Sequence, residues 1–155
     1  MNIFIAGIMQ GSEIGATLHS QNYRDVLKKE LSVAFPAADV YDPFEKNKNS
    51  INYSDDLGKQ VFLEHNRMCG TKIDLLVAFA PEASMGTAIE MWEAWKNGAF
   101  VATISPMAEN WAIKFLSDVL YRDLDAFLSA LRSGELTRFV ATASPRAKKR
   151  SLESY

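Results

Sequence analysis

The segment Glu82-Ala83-Ser84-Met85-Gly86-Thr87-Ala88-Ile89-Glu90-Met91-Trp92 combines a hydroxyl, a glycine and a carboxylate at a spacing that could bind and cut a small molecule. It follows an apolar run and opens a stretch with helical periodicity. The first turn of a helix leaves N–H groups unpaired and carries a partial positive charge, so it attracts phosphate or another anion. Ser84 can cap that helix, bind an anion, or do both. Gly86 lets a ligand come close to the backbone. Glu90 lies six residues after Ser84. Helical spacing groups it with Thr87 and Ala94 and puts Met85, Ile89 and Trp92 on another face. Spacing alone leaves Glu90 two readings, an exposed helix glutamate or a site carboxylate, and Glu93 and Lys96 mark a wet side on the same helix.

Three other groupings could carry chemistry. Gly7-Ile8-Met9-Gln10-Gly11-Ser12 has the look of a ligand loop. Its Gly-x-x-x-Gly spacing is not the dinucleotide fingerprint, and it lacks the lysine of a Walker loop. Tyr41, Asp42 and Phe44 close a short apolar run, where a base could stack on an aromatic ring. Glu64-His65-Asn66-Arg67 and Asp74 form the third grouping, although Asp74 at the start of a buried strand can simply cap backbone groups. Neither of the two histidines has Cys or acidic partners at metal-ligand spacing, so no metal site is expected. The elbow motif of a Ser-His-Asp hydrolase is missing.

The elements that must position these residues alternate between strand and helix. Residues 2–6 read as a short buried strand, 18–34 as a helix with Val26, Leu27, Leu31 and Ala34 on its apolar face, and 40–41 as a second strand ended by Asp42-Pro43. Glu45–Tyr53 is polar and reads as an exposed loop. A helix over 55–70 starts at Ser54, and Ile73–Ala80 is apolar on both faces, as a central parallel strand requires. A helix from Ser84 to Asn97 ends at Gly98, and 100–104 is a further strand. The spacing predicts a helix over 111–131 with a break near Ser117, then a short strand over 137–140. This order implies an α/β domain over 1–140: a Rossmann-like or flavodoxin-like three-layer sandwich with a mostly parallel sheet of four to five strands. In such sheets the ligand crevice lies at the carboxyl ends of the strands, which selects 7–15, 41–44 and 80–86.

The chain has 155 residues, 48% hydrophobic and 23% charged, with net charge −2. That is the composition of a soluble globular domain, without a global field for nucleic acid or anionic membrane. Cys69 is the only cysteine, so no disulfide forms within the chain, and a cytoplasmic location is expected. Residues 141–155 turn to Ser, Arg, Lys and Pro and read as a flexible basic tail.

Asn2-Ile3-Phe4-Ile5-Ala6-Gly7, Asp74-Leu75-Leu76-Val77-Ala78 and Ser84-Met85-Gly86-Thr87-Ala88-Ile89-Glu90-Met91 together resemble the nucleoside 2-deoxyribosyltransferase superfamily, which includes nucleoside 5'-monophosphate N-glycoside hydrolases. The likeness spans about residues 2–120, and Ser-x-Gly-x-x-x-Glu after a buried strand is its most specific part. The resemblance implies that Glu90 attacks the anomeric carbon and forms a covalent glycosyl-enzyme, which water or a second base resolves. It implies substrate contacts from Gly7, Met9, Gln10, Gly11, Tyr41, Asp42, Phe44, Ser84, Met85 and Gly86, and no cofactor. Its transferases carry an acidic residue where its hydrolases have a serine, here Ser84. Two like charges about 4 Å apart repel by roughly 4 kcal/mol at an effective dielectric of 20, so Ser84 leaves room for a phosphate.

The sequence departs from the family at four places. Phe4 stands where the family has a tyrosine near the nucleophile. Asn66 takes the place of the aspartate that handles the leaving base, with Asp74 as a substitute acid. Ile8 and Gln10 align with phosphate-binding Ser and Arg of the hydrolases. The family also implies a homodimer or higher homo-oligomer in which Asn110, in the loop 105–110, reaches a neighbour's pocket. The expected activity is cleavage of a nucleoside or nucleotide N-glycosidic bond, by transfer or hydrolysis. The alternatives are a nucleotide-sensing module of the same fold and a partner-binding domain.

Overall fold

The computed structural model describes residues 1–10 and 18–143. Five strands, β1 (Asn2–Gly7), β2 (Asp39–Tyr41), β3 (Leu75–Phe79), β4 (Phe100–Ile104) and β5 (Val119–Tyr121), form one sheet in the order β2-β1-β3-β4-β5. Every pairing is parallel. The helices are α1 (Asn22–Ala34), α2 (Pro43–Lys46), α3 (Asp55–Cys69), α4 (Met85–Lys96), α5 (Trp111–Leu116), α6 (Leu124–Arg132) and α7 (Glu135–Thr142). This is the expected Rossmann-like, flavodoxin-like sandwich.

Alternation along the strands builds two apolar layers. Ile3, Ile5, Leu75, Val77 and Ile104 point toward Leu27, Leu31, Phe127 and Leu131 of α1 and α6. Phe4, Ala6, Leu76, Ala78 and Val101 point toward Cys69, Met91, Ala94 and Trp95 of α3 and α4. Each large side chain so buried contributes about 1.5–3 kcal/mol against the entropy of folding. Because the connection from β1 runs to β2 on one side and that from β3 runs to β4 on the other, a crevice opens at the carboxyl ends of β1 and β3.

Helix ends follow their caps. Ser54 accepts from Leu57 N at 3.4 Å to start α3, and Gly98, with φ of 82°, turns the chain after α4.

Four expectations change. The 45–53 stretch holds α2 and a 3₁₀ turn over Ser50–Asn52. Asp42 accepts from Phe44 N at 3.0 Å and Pro43 occupies the first helical position, which starts α2. The 111–131 stretch is α5, β5 and α6 rather than one broken helix. Ser117 Oγ turns back to within 2.6 Å of the Ile113 carbonyl and 2.7 Å of Thr103 Oγ1, and Asp118 Oδ2 accepts from Val101 N at 2.8 Å, which draws the chain onto the sheet edge. The strand expected over 137–140 lies inside α7, whose Leu136 and Val140 pack on the core at helical spacing. On α1, Val26 is exposed and Tyr23 takes its place on the buried face. Gly11, Gly15 and tail residues 144–155 lie outside the described residues, and 141–142 complete α7.

Candidate active site

A cavity of about 460 Å³ lies at the carboxyl ends of β1 and β3. Gly7, Met9 and Gln10 line it from the end of β1, and Ser84, Met85, Gly86, Thr87 and Glu90 line it from α4. Gly58, Phe62 and His65 of α3 form the facing wall, with Pro43, Asn47 and Tyr53 beside them. Helix α4 therefore turns its 86–87–90 face to the cavity and its Met91, Ala94 and Trp95 face to the core.

Glu90 is half-buried in the cavity wall. Enclosure pushes its pKa up to about 8, and the Arg24 charge pulls the other way. A carboxyl so placed lies between acid and nucleophile near neutral pH. A cationic centre entering the cavity would favour its ionised form.

Arg24 is 2% exposed and closes the end of β1. Asp39 N donates to Met1 O, and the parallel register would next ask residues 41 and 43 to donate toward Ile3 and Ile5. Residue 43 is proline and has no N–H. Arg24 Nη1 donates to the Ile5 carbonyl at 3.1 Å instead, and Nη2 donates to the Gly7 carbonyl at 3.0 Å. Nη1 also donates to Asp42 Oδ1 at 2.9 Å, and Nε to Gln21 Oε1 at 2.7 Å. Asp42 is thus held in a buried ion pair.

Tyr23 brings a phenol to the same strand end. Its Oη donates to the Ile8 carbonyl at 3.2 Å, and its ring stacks on Phe79 with centroids 4.1 Å apart. Burial raises its pKa strongly, with the charges of Asp42 and Glu90 adding to the rise. A Cβ on Gly7 would sit 2.3 Å from that oxygen, so glycine is required there.

At the start of α4, Ser84 Oγ accepts from Thr87 N at 3.4 Å and from Thr87 Oγ1 at 3.0 Å. Accepting both leaves its own proton for a ligand. A Cβ built on Gly86 meets nothing within 4 Å, so packing does not explain that glycine.

The remaining expected residues lie elsewhere. Asn66 donates from Nδ2 to the Phe62 carbonyl of its own helix at 2.8 Å and does not line the cavity. Asp74 is at the amino end of β3, where its Oδ2 accepts from Asn2 N at 2.8 Å, so it sits across the sheet from Glu90. Tyr41, Asp42 and Phe44 fall just behind the wall, while Pro43 between them reaches it. Asn110 caps α5, accepting from Ala112 N at 3.0 Å, and lines a smaller recess of about 160 Å³ on another side of the α4 start, with Ser84 and Met85. Gly11 is outside the described residues. The sequence gives no signal for a role of Tyr23 or Arg24 at this site, and it places His65 in a candidate grouping without a role. The Tyr23–Leu27–Leu31 spacing on α1 is the signal that carries Tyr23 onto the buried face.

Among the described residues, no three His, Cys, Asp or Glu side chains cluster to hold a metal ion, and no helix is long and apolar enough to cross a membrane.

No protein-family model and no curated protein matches the chain. Among solved structures, a conserved protein from Enterococcus faecalis V583 matches with a TM-score of 0.57 at 20% identity, covering 86% of this chain and 98% of that one. A CMP N-glycosidase of Clostridium botulinum matches with a TM-score of 0.52 at 17% identity, again over 86% of this chain and 98% of its own. At these identities the likeness is one of fold.

Proposed function

We propose that the protein cleaves the N-glycosidic bond of a nucleoside or nucleoside 5'-monophosphate, with Glu90 as nucleophile. The observation that carries this reading is a glutamate lining a cavity at the carboxyl ends of β1 and β3, on the helix whose free N-terminal N–H groups open into the same space. A Glu90 oxygen bonds to C1' as the C1'–N bond breaks, and the bonding pair leaves with the base. The base takes a proton from water. Water or a second base then displaces Glu90 from C1', so configuration is retained overall. The carboxylate stabilises the oxocarbenium-like transition state, and the partly enclosed site strengthens that attraction. Ser84 and the N–H groups of Met85 and Gly86 would hold a 5'-phosphate. The fold shared with a CMP N-glycosidase supports this reading. The exposed apolar side chains Met85, Ile89, Trp111 and Phe115 around α4 and α5 support a homo-oligomer, with Asn110 near a shared pocket.

A panel of nucleosides and 5'-monophosphates, assayed for free base, tests the proposal. Release from at least one member is expected, with a loss of 10³-fold or more in Glu90→Ala. Undiminished release by Glu90→Ala would overturn it.

A second reading, a nucleotide-sensing module, is favoured by Phe4, which is fully buried and has no hydroxyl, and by Asn66, which turns onto its own helix. It requires nucleotides to raise the melting temperature without base release.

A further inference from the structure

Glu90 serves one side of the scissile bond, and the departing base needs a partner on the other. Among the described residues lining the cavity, only Tyr53, His65 and Glu90 have titratable side chains. Tyr53 Oη already donates to Asn47 Oδ1 at 3.1 Å. His65 is held differently. Its Nε2 lies 3.3 Å from Tyr41 Oη. Its ring stands edge-on to Phe4 and Tyr41, with centroids 6.0 and 5.9 Å away, and Tyr41 in turn stacks on Phe4 at 5.5 Å. The imidazole is therefore fixed at one nitrogen and boxed by two rings.

Burial lowers the His65 pKa, with Arg24 acting in the same direction and Glu64 opposing, so the ring is neutral at pH 7. Burial, with the charges of Glu64 and Asp42, raises the Tyr41 pKa, so the phenol keeps its proton. A phenol that donates to Nε2 leaves the ring hydrogen on Nδ1.

We propose that His65 is the leaving-group contact: its Nδ1–H donates a hydrogen bond to the acceptor atom beside the glycosidic nitrogen of a nucleobase, and Tyr41 is the positioning residue that fixes this tautomer. The inference rests on the glycosidase reading above. Pyrimidines offer O2 and purines N3 as that acceptor. Charge grows on this atom as the C1'–N bond breaks, so the hydrogen bond strengthens in the transition state. His65 keeps its proton throughout, and the base is protonated by water.

The chain holds two histidines, so ring nitrogen NMR with His19→Asn for assignment isolates His65. Expected are the Nδ1–H tautomer at pH 7 and a shift of Nδ1 when CMP or dAMP binds, with the Nε2–H tautomer appearing in Tyr41→Phe. In turnover, His65→Phe is expected to lose about 100-fold in kcat on ordinary bases. The loss should be much smaller on 5-fluoropyrimidine substrates, whose bases leave more easily, and His65→Gln, which keeps a donor, should recover part of it. A structural role would lower every substrate by one factor, and that outcome overturns the assignment. So does an Nε2–H tautomer in the native protein, or an Nδ1 signal unmoved by a nucleotide that raises the melting temperature. If nucleotides bind and move Nδ1 without base release, the glycosidase reading fails and the base contact stands. If none binds, both fail.

Discussion

At the amino ends of β1 and β3, Asp74 accepts from Asn2 N and Asn2 donates to the Lys72 carbonyl, both at 2.8 Å, so short polar links tie the starts of the two strands together. At the carboxyl ends of the same strands, a carboxyl, a helix N-terminus and an imidazole face a cavity of about 460 Å³. Both ends hold an acidic residue, Asp74 immediately before β3 and Glu90 on the helix that follows it, and their surroundings separate them. Asp74 serves the backbone, whereas Glu90 is raised by enclosure to a pKa of about 8. The carboxyl end repeats the contrast within itself. Asp42 is neutralised by Arg24 at 2.9 Å, while Glu90 feels that arginine only at a distance. One strand end thus holds an ion-paired carboxyl group and one whose neutral form is favoured by enclosure.

The largest effect on stability is expected from removing the paired member. Asp42→Ala strands Arg24 in the interior and should cost about 3–5 kcal/mol in urea unfolding. A cost below about 1 kcal/mol would mean that the pair does not organise this strand end.

Glu90 should behave in the opposite sense. Its folded pKa lies above the unfolded value of 4.5, so the neutral form is favoured in the fold. The native protein then loses stability as pH rises from about 4.5 to about 8. Glu90→Gln carries no such penalty. It should match the native protein at pH 4 and exceed it by up to about 5 kcal/mol at pH 9. Equal melting curves at both pH values would show that Glu90 is not held in its neutral form. The same ionisation should make kcat/KM rise with pH toward about 8.

The smallest effect concerns the helix start. Gly86→Ala adds a methyl where nothing stands within 4 Å, so stability should hold or improve by about 0.5–1 kcal/mol. Nucleotide affinity by calorimetry should fall about tenfold if a ligand rests on that backbone. Unchanged affinity would move the ligand away from α4.

Much of this was legible in the sequence, for physical reasons. The apolar run before Pro81 can only be a strand covered on both faces, and Ser54 and Ser84 cap α3 and α4 where their positions indicate. Position after that strand leaves Glu90 two readings, and the family resemblance of Ser-x-Gly-x-x-x-Glu is what singles it out. Residues whose roles depend on tertiary register were not legible. Arg24 matters because Pro43 lacks an N–H two strand-positions away, and nothing local to Arg24 records that. Asp74 and Asn66 were chosen by alignment along the chain, which says nothing about which end of the sheet or which side of α3 a side chain takes. The 137–140 stretch, with Thr, Phe and Val, has strand propensity, yet the helical spacing of Leu136 and Val140 against the core decides it.

Intact-mass and peptide mass spectrometry after incubation with 2-fluoro-sugar nucleosides and 5'-monophosphates tests the nucleophile most directly, because fluorine slows release of the glycosyl group. A single glycosyl adduct on the peptide bearing Glu90, lost in Glu90→Gln, is the expected result. Base release without any adduct on Glu90, or an adduct on a different carboxylate, would contradict it.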